Sequence, residues 1–496
     1  MALALGIRGQ SSKSGGMTIT APRQSTAQEH LDRVHTNPTT MARNREHIAL
    51  ITEAARRSGS YIANAAHRSI AAPAEAVAAL DTFRRPLQEE PIDARTVLAE
   101  LDAFGSPATT VQNQGRYFGY VNGGLDPAAH AAAILAGTWD QNVGAHIMTP
   151  VATTLDEVAG EWVIDALGLP STAHASFNAG ATIANLTGII TARDALYAKQ
   201  GWDVGQGGLA GAPALRIIVG DEIHASALKA LRLAGLGTGN LERIPTDANG
   251  SIIADAFPTD TDDATLVLLQ AGNVNTGHSD PFTSIIPGVR ERGGWVHVDG
   301  AFGLWAAASP THRHLVAGVE LADSWATDAH KWLNAPYDSG ILIVRDPATV
   351  VRSMSTDAAY LNTGEATPPF QRGIQMSQRA RGVETWAMLA SHGKTGLADL
   401  IDRSIGHARH FADALAEAGA TILAPVVLNQ VLVSFRGDAT TEAVIAAVQA
   451  DGTLWAGATQ WHGQRAMRLS VSDAATTRDD VNASVAAIVR LWRELT

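Results

Sequence analysis

The spacing of apolar positions between residues 103 and 393 predicts a sheet. Short apolar runs recur at residues 216–220, 265–270, 295–299 and 341–344, and stretches with helical periodicity separate them. Continuous apolar runs that alternate with helices are typical of a mainly parallel sheet covered on both faces. We therefore predict an α/β large domain over residues 103–393, with ligands bound beyond the carboxyl ends of the strands.

Residues 394–496 predict a smaller α+β domain. The predicted elements are a strand at 428–435, a helix at 441–450, a strand at 466–471 and a final helix after Thr477. Thr477 and Asp480 have the spacing of a capping box, in which each side chain binds the backbone N–H of the other residue. We expect this pair to begin the final helix.

Residues 17–102 have a helical pattern, with apolar positions at 48–51 and 76–80 and prolines between the periodic stretches. These helices are too few to form a core alone, so we expect them to pack on the large domain or on a second subunit. Residues 1–16 are rich in Ser and Gly. We expect a flexible leader or an upstream start there.

Composition limits the classes of function. The chain of 496 residues exceeds the usual size of one domain, and its formal net charge is −12 without a dense Lys/Arg tract. Nucleic acid and anionic membrane are therefore not expected as partners. The chain has no cysteine, which excludes disulfides and thiolate metal sites, and we expect no metal. No run of 18 apolar residues occurs, so we expect a cytoplasmic protein.

Lys331 and Asp299 carry the main chemical prediction. Asp299 ends the apolar run at 295–299, and Lys331 follows beside Trp332. A lysine amine buried against apolar groups can be neutral and can attach to an aldehyde. An aspartate beside a pyridine nitrogen keeps that nitrogen protonated, so that the ring accepts electrons. Together they suggest pyridoxal phosphate. The alternative is a solvated helix lysine and a turn aspartate at a strand end.

Residues 324–345 contain a longer motif around Lys331: serine, an aromatic residue, five residues, the lysine, two apolar residues, and an apolar run that closes at Arg345. It resembles the lysine motif of the group II pyridoxal-dependent amino acid decarboxylases, which include the aromatic amino acid and glutamate decarboxylases. It departs at Ser339, where the family usually has cysteine or alanine. The resemblance extends from about Val111 to the C-terminal helix. It implies fold type I, with a seven-stranded sheet and the cofactor pyridoxal 5′-phosphate.

A phosphate site is predicted at the start of a helix over residues 181–200. Gly180, Ala181 and Thr182 let the backbone approach an anion, and the helix directs unpaired N–H groups and its positive dipole end at it. An ordinary helix start is the alternative. The family's phosphate loop resembles this segment, often with glycine at Ala181. By the same resemblance, His330 is a second phosphate ligand.

The resemblance also implies residues around the cofactor ring. His224 is similar to the histidine that stacks on the ring and borders the substrate carboxylate, and Ala301 would pack on the opposite face. A helix-capping or surface histidine is the alternative for His224. Asn273 and Asn275 lie in a loop where an amide could bind the cofactor's phenolic oxygen or only shape a turn.

Tyr360 and Leu361 resemble the Tyr-Leu pair on a mobile loop of the decarboxylases. The resemblance implies that this tyrosine protonates the alpha carbon after carbon dioxide leaves. A phenylalanine there would favour the related aldehyde synthases. A flexible-loop tyrosine without a chemical role is the alternative. The surrounding loop is a candidate lid.

The substrate side is less defined. Arg379, ahead of Arg381, could bind a carboxylate through two parallel hydrogen bonds, although an interdomain salt bridge is an equal alternative. Tyr117, Phe118 and Tyr120 could line the pocket or belong to an aromatic core cluster.

The resemblance implies an amino acid decarboxylase that releases carbon dioxide and an amine, with aromatic substrates weakly favoured. The alternatives are another reaction on the same cofactor, such as transamination, aldol cleavage or aldehyde synthesis, and a catalytically silent relative. The resemblance also implies a homodimer, with the N-terminal segment wrapped around the partner and the active site near the interface.

Overall fold

The computed structural model describes residues 37–356 and 367–496. These residues form two compact units. One contains residues 37–64 and 82–106, and the other contains residues 65–81, 107–356 and 367–496.

The N-terminal helices agree with the helical pattern of the sequence. They are α1 (Pro38–Ala65), α2 (Ala74–Ala79) and α3 (Ala94–Glu100). Asp93 begins α3, because its side chain accepts hydrogen bonds from the backbone N–H groups of Arg95 and Thr96. Large apolar side chains remain exposed along α1, including Ile48 and Ile51.

A seven-stranded sheet forms the centre of the larger unit. Its strands are β1 (His174–Asn178), β2 (Arg216–Gly220), β3 (Glu242–Ile244), β4 (Thr265–Gln270), β5 (Trp295–Asp299), β6 (Ser324–Asp328) and β7 (Gly340–Val344). Their order is β1-β7-β6-β5-β4-β2-β3. The neighbours from β3 to β6 pair in parallel, whereas β7 runs antiparallel to both β6 and β1. The prediction of a mainly parallel sheet is therefore confirmed.

Helices cover this sheet and connect its strands. They are α4 (Pro127–Trp139), α5 (Pro150–Ala166), α6 (Ala181–Lys199), α7 (Val204–Gly207), α8 (Ala225–Leu233), α9 (Phe282–Glu291), α10 (Pro347–Met354) and α11 (Arg381–Glu417), which kinks at Gly393. The side chains of β5 alternate between two apolar clusters. Trp295 packs in the cluster that contains α6, and Val296 packs in the other. Every β5 residue is buried, as expected for a central strand.

The C-terminal part of this unit contains a second, four-stranded sheet. Its strands are β8 (Thr421–Ile422), β9 (Gln430–Ser434), β10 (Gly457–Trp461) and β11 (Gln464–Ser470), in the order β10-β11-β9-β8. Two helices, α12 (Asp438–Asp451) and α13 (Arg478–Glu494), pack with it. The predicted capping box is confirmed, because Thr477 and Asp480 bind each other's backbone N–H groups at the start of α13.

The sequence pattern found the most apolar strands and missed the others. The four runs of the large domain correspond to β2, β4, β5 and β7. The strand β6 was missed because Ser324, Thr327 and Asp328 make it look polar, although all five of its residues are buried. Its buried polar side chains include Asp328, which belongs to the site described below.

Candidate functional site

Lys331 lies on a tight turn directly after β6, so the alternative of a solvated helix lysine is wrong. The buried Asn334 holds this turn from within, and its backbone N–H donates to the carbonyl of Lys331 at 3.1 Å. The Asn334 side chain accepts from the N–H groups of Gly124 and Ala474 and donates to the carbonyl of Ser472. Three chain segments therefore fix the backbone that carries the lysine.

Asp328, the last residue of β6, is a residue that sequence analysis missed. Its side chain is almost fully buried, and its Oδ2 atom lies 3.0 Å from Nζ of Lys331. Its Oδ1 atom accepts a hydrogen bond of 2.6 Å from the backbone N–H of Ala181 at the start of α6. A carboxylate at a helix N-terminus is favourable because it faces the positive end of the dipole. Asp328 thus connects the lysine to the predicted phosphate helix.

One cavity contains four of the residues predicted from the sequence. His224, Asp299, Ala301 and Lys331 line it together. The remaining lining residues are Val121, Gln270, Gly272, Val274 and Phe302. Asp299 is at the carboxyl end of β5, where ligands of parallel sheets bind. The sequence analysis predicted that Asp299 and Lys331, which are far apart in the chain, share a site. Their positions in this cavity agree with that prediction.

The Asp299 carboxylate is held on both of its oxygens. Its Oδ1 atom accepts from the backbone N–H of Ala301 at 3.2 Å, and its Oδ2 atom accepts from Nδ2 of Asn185 at 3.0 Å. The side chain is buried and still borders the cavity. Its orientation is therefore set by the surrounding protein and not by solvent.

His224 both caps α8 and borders the cavity. Its Nδ1 atom accepts from the backbone N–H of Ser226, so a neutral ring carries its proton on Nε2. Gln270 holds the backbone, because its Oε1 atom accepts from the N–H of His224. Burial lowers the pKa of His224, the nearby charge of Asp299 opposes that shift, and the charge of Lys331 adds to it. His224 therefore caps a helix, as the alternative stated, and it also borders the cavity, as the resemblance implied.

The residues of the predicted phosphate site lie at the start of α6. Gly180 has a φ of 95°, which favours glycine. A β-carbon there would lie 3.2 Å from Cε1 of His330. Ala181 and Thr182 are the first two residues of the helix, and the N–H of Ala181 binds Asp328. The phosphate roles of these residues stay predictions.

His330 is oriented by its neighbours. Its Nδ1 atom accepts from the backbone N–H of Ser339 at 3.0 Å, and its ring packs against Tyr337 at a tilt of 32°, with centroids 4.3 Å apart. A neutral His330 therefore carries its proton on Nε2. Burial lowers the pKa of His330, while the charge of Asp328 opposes this shift.

The loop after β4 is shaped by its asparagines. Oδ1 of Asn273 accepts from the backbone N–H of Asn275, which is the turn-shaping alternative of the sequence analysis. Oδ1 of Asn275 accepts from the hydroxyl of Thr459 on β10. The cofactor-binding role of Asn275 stays a prediction.

Arg379 has carboxylate partners of its own. Its guanidinium pairs with both oxygens of the buried Glu384 and contacts the side chain of Asp338 at 3.3 Å. Arg381 contacts the same Asp338 side chain at 3.1 Å. Both arginines therefore form salt bridges, but their partners lie within the predicted large domain, so these are not the interdomain contacts of the alternative.

Arg468 on β11 is a cation that sequence analysis did not single out. It donates to the carbonyl oxygens of Val274 and Tyr120, and Val274 lines the cavity. Burial lowers the pKa of Arg468 to about 10, and its charge contributes to the lowered pKa of His224. Arg468 lies among apolar strand residues, and its charge influences the pKa of His224. This relationship is visible only in the folded structure.

Aromatic residues lie near the cavity. Tyr117 is buried and stacks on Trp455 with centroids 5.1 Å apart, and the exposed Tyr120 stacks on the same indole at 5.8 Å. Phe118 belongs to the core of the small sheet, as its alternative stated. The predicted proton donor Tyr360 lies outside the described residues.

The residues in and around the cavity fit pyridoxal phosphate. Lys331 can reach an aldehyde, Asp299 offers a carboxylate for the ring nitrogen, and His224 offers a flat ring. The first turn of α6 offers backbone N–H groups to a phosphate, although Asp328 uses one of them. The lining combines a few polar groups, among them one lysine and one carboxylate, with apolar walls, which suits a flat aromatic ring with a protonated nitrogen.

Comparison with known proteins places these residues in context. The family model described as the pyridoxal-dependent decarboxylase conserved domain matches residues 80–437. Tryptophan decarboxylase 1 of Oryza sativa subsp. japonica is 28% identical over 376 residues, which cover 71% of this chain and 72% of that protein. Phenylacetaldehyde synthase of Petunia hybrida is 28% identical over 373 residues, with 71% of each chain covered. An acidic amino acid decarboxylase of Mus musculus is 28% identical over 320 residues, covering 61% of this chain and 56% of that protein.

Solved structures share the fold. The crystal structure of Oryza sativa TDC with PLP and tryptamine has a TM-score of 0.84 at 22% identity, covering 91% of this chain and 98% of that chain. Catharanthus roseus tryptophan decarboxylase in complex with L-tryptophan has a TM-score of 0.78 at 20% identity, covering 96% and 100%. The predicted α/β architecture of fold type I is confirmed.

Proposed function

The chain belongs to the pyridoxal-dependent decarboxylase family and is a pyridoxal phosphate-dependent amino acid decarboxylase. From that premise, we propose that Lys331, Asp299 and His224 are its catalytic residues and that it acts on an aromatic L-amino acid. The observation that carries the assignment of the site is the single cavity that all three side chains line.

Each of these residues has a distinct role in the proposal. The bound cofactor supplies an electron sink for the bond between the alpha carbon and the carboxylate. Lys331 holds the cofactor and releases it when the substrate amine arrives, and Asp299 keeps the ring nitrogen protonated. His224 packs on the ring with Nε2–H available to the substrate carboxylate. Gly180, Ala181, Thr182 and His330 hold the phosphate, Asn275 holds the phenolic oxygen, and Ala301 packs under the ring.

The substrate carboxylate needs a cation, and Arg468 is better placed than Arg379 to provide one. Arg379 is already paired with Glu384, whereas Arg468 contacts only carbonyl oxygens in the hydrogen bonds described for it. A guanidinium bound to neutral partners keeps its full charge available to an incoming anion. We therefore assign Arg468 to the substrate carboxylate.

Aromatic side chains near the lysine support an aromatic substrate. Tyr337 packs against His330, which is next to Lys331 in sequence, and the Tyr337 hydroxyl donates to Asn122. Tyr120 is largely exposed beside Val121, which lines the cavity. A flat ring can pack between such side chains, whereas an acidic side chain would need a second cation.

We also propose a cytoplasmic homodimer with the active site near the interface. Large apolar side chains remain exposed on α4, on the loop before α5, on the first turn of α5 and on the segment before α11. They are Ile134, Leu135, Trp139, Ile147, Met148, Val151, Ile374 and Met376. These segments adjoin, because the N–H of Val143 donates to the carbonyl of Gln378. An exposed apolar patch of this kind suits an obligate interface.

Among the described residues, no helix has the length and apolarity to cross a bilayer. Sedimentation as a monomer at micromolar concentration would contradict the dimer.

The deciding experiment measures products across a panel of aromatic, acidic and aliphatic L-amino acids with added pyridoxal phosphate. We expect carbon dioxide and the matching amine in equal amounts, with the highest kcat/KM for an aromatic substrate. Lys331→Ala is the control, and it should remove both the products and the visible absorption of the holoenzyme. Keto acid without carbon dioxide would contradict the proposal.

A second candidate is aldehyde synthesis, because phenylacetaldehyde synthases are among the relatives. In that reaction an amino acid, dioxygen and water give an aldehyde, carbon dioxide, ammonia and hydrogen peroxide. The same assay distinguishes the two, since peroxide and dioxygen consumption accompany only the second. Amine without peroxide would exclude aldehyde synthesis.

A further inference from the structure

Four side chains form a hydrogen-bonded chain that ends on the Asp299 carboxylate. Nε1 of Trp295 lies 3.0 Å from Oγ of Ser324, which lies 2.8 Å from Nδ1 of His297. Nε2 of His297 lies 2.8 Å from Oδ1 of Asn185, and Nδ2 of Asn185 lies 3.0 Å from Oδ2 of Asp299. We call Trp295, Ser324, His297 and Asn185 the support chain.

The geometry of the sheet explains why these residues meet. Trp295, His297 and Asp299 alternate along β5, so their side chains project from the same face. Ser324 stands opposite His297 in the neighbouring strand β6. Helix α6 packs on this face and brings Asn185 to it.

The hydrogen bonds of the support chain have one consistent direction. The Asp299 carboxylate only accepts, so Asn185 presents its NH₂ group to it and its carbonyl oxygen to His297. His297 must then donate from Nε2, which leaves Nδ1 to accept from the Ser324 hydroxyl. Trp295 can only donate, and it completes the chain at the Ser324 oxygen.

Burial keeps this direction in place. His297, Asn185 and Ser324 are at most 1% exposed. Burial also lowers the pKa of His297 to about 4, so the ring is neutral at pH 7 and has one donor and one acceptor. Gly188, one turn after Asn185, makes room for the imidazole, because a β-carbon there would lie 2.6 Å from Cε1 of His297.

We propose that Asn185 and His297 are positioning residues that hold the Asp299 carboxylate toward the cofactor's ring nitrogen. This inference rests on the proposed role of Asp299. Neither residue lines the cavity, so each acts through Asp299. A carboxylate whose Oδ2 atom is held by a hydrogen bond keeps one orientation. It does not have to reorganise when the cofactor's ring nitrogen binds a proton. Buried polar chains of this kind are rigid only when every member has its partner.

The test measures two dissociation constants for the apoenzyme. One is for pyridoxal phosphate, and the other is for 1-deazapyridoxal phosphate, in which carbon replaces the ring nitrogen. Their ratio reports the contact between Asp299 and that nitrogen, because loss of general structure weakens both ligands equally. In Asn185→Leu and His297→Leu, we expect the preference for pyridoxal phosphate to fall by about tenfold, as for the loss of one hydrogen bond to a charged group.

Conservative variants sharpen the test. His297→Gln keeps an N–H near the position of Nε2, so it should restore part of the preference that His297→Leu loses. Thr191→Val is the matched control on α6, because the Thr191 hydroxyl donates only to the carbonyl of Thr187 in the same helix. Thr191→Val should leave the ratio unchanged. Should His297→Leu fail to fold, Asn185→Leu and His297→Gln still decide the result.

Asp299→Asn separates the two possible failures. If Asp299→Asn removes the preference while Asn185→Leu retains the wild-type ratio, the positioning inference is wrong and the role of Asp299 stands. If Asp299→Asn itself retains the ratio, the proposed role of Asp299 is wrong, and the inference fails with it. A lower ratio in Asn185→Leu, with thermal unfolding like that of Thr191→Val, supports the inference.

Discussion

The Asp328 carboxylate lies 3.0 Å from the Lys331 amine with one oxygen and 2.6 Å from the Ala181 backbone nitrogen with the other. A single buried side chain thus connects the lysine that we propose as the cofactor anchor with the helix start where a phosphate is expected. The positive end of that helix favours both a carboxylate and a phosphate, and the two negative charges repel each other there.

The first prediction concerns this repulsion. In Asp328→Asn, the amide oxygen can still accept from the N–H of Ala181, but the negative charge is gone. We expect pyridoxal phosphate to bind roughly three- to tenfold more tightly, in line with a charge interaction of about 1 kcal/mol in a partly solvated site. Affinity for pyridoxal, which has no phosphate, should not increase. Fluorescence titration of the apoenzyme measures both.

Asp328→Ala is the companion variant. It removes the charge and also the hydrogen bond to Ala181, so the free energy of unfolding should fall by about 1 kcal/mol, as when a helix cap is lost. Weaker binding of pyridoxal phosphate by Asp328→Asn would show that the ion pair with Lys331 matters more than the repulsion.

The second prediction concerns the space beside His297. Gly188→Ala would place a methyl group 2.6 Å from the imidazole, which is fixed by hydrogen bonds on both nitrogens. We expect the free energy of unfolding to fall by about 1–3 kcal/mol, the usual cost of overpacking a core. Chemical denaturation measures this change.

Gly406→Ala is the matched control for that substitution. Gly406 lies in α11, and a β-carbon there would meet no atom within 4 Å. Alanine is the better helix former, so this variant should gain about 0.5–1 kcal/mol. Equal effects of the two substitutions would mean that the His297 ring can move aside.

The third prediction concerns acid stability. Burial lowers the pKa of His297 from 6.5 to about 4, so the unfolded chain binds a proton at a higher pH than the folded protein does. This contribution to stability is complete above pH 6.5 and is lost as the pH falls toward 4. Its full size is at most about 3.5 kcal/mol at roughly 1.4 kcal/mol per pKa unit.

His297→Gln should therefore show a smaller destabilisation at pH 5 than at pH 7.5, measured against wild type at the same pH. Denaturant unfolding at both values gives the comparison. His67→Gln, at an exposed histidine, should show no such change between the two values. A destabilisation by His297→Gln that does not change with pH would contradict the third prediction.

The fourth prediction separates the two candidate arginines. Arg468→Gln should lower kcat/KM by about tenfold or more, because a charged hydrogen bond to the substrate carboxylate is lost. Inhibition by the product amine, which has no carboxylate, should change little. Arg379→Gln leaves the buried Glu384 without its cation, so we expect it to lower thermal stability first. The reverse pattern would assign the carboxylate to Arg379.

The fifth prediction concerns Tyr360. If its hydroxyl returns the proton to the alpha carbon, Tyr360→Phe should still release carbon dioxide but consume dioxygen and form aldehyde, ammonia and peroxide in place of amine. General acids contribute about a hundredfold or more, so the loss of amine should be clear. Assays of amine and peroxide on the same sample measure it. Unchanged amine formation would remove Tyr360 from the mechanism.

Local sequence patterns were sufficient for the strands with continuous apolar runs. Residues 216–220, 265–270 and 295–299 form strands with those bounds. The capping box at Thr477 also formed as predicted, since it involves residues only three positions apart. The motif around Lys331 was enough to indicate the cofactor and the family.

Other parts of the site could not be derived from the sequence. Asp328 was not singled out by the sequence pattern, although it ends a buried strand and caps a helix that begins 147 positions earlier. Arg379 looked available to a substrate, yet Glu384 holds its guanidinium. In both cases the deciding partner, a backbone N–H for Asp328 and a carboxylate for Arg379, is identifiable only in the folded protein.

By itself, the sequence determined the fold class, the alternation of strands and helices, and the pairing of a lysine with an aspartate that indicates the cofactor, because these depend on residue type and short spacing. Only the tertiary structure brought Asn185 and His297, which lie on different elements, into the hydrogen-bonded chain that ends on Asp299. Hydrogen bonds act over about 3 Å, so the residues that orient a catalytic group become identifiable only when strands and helices from distant parts of the chain are brought together.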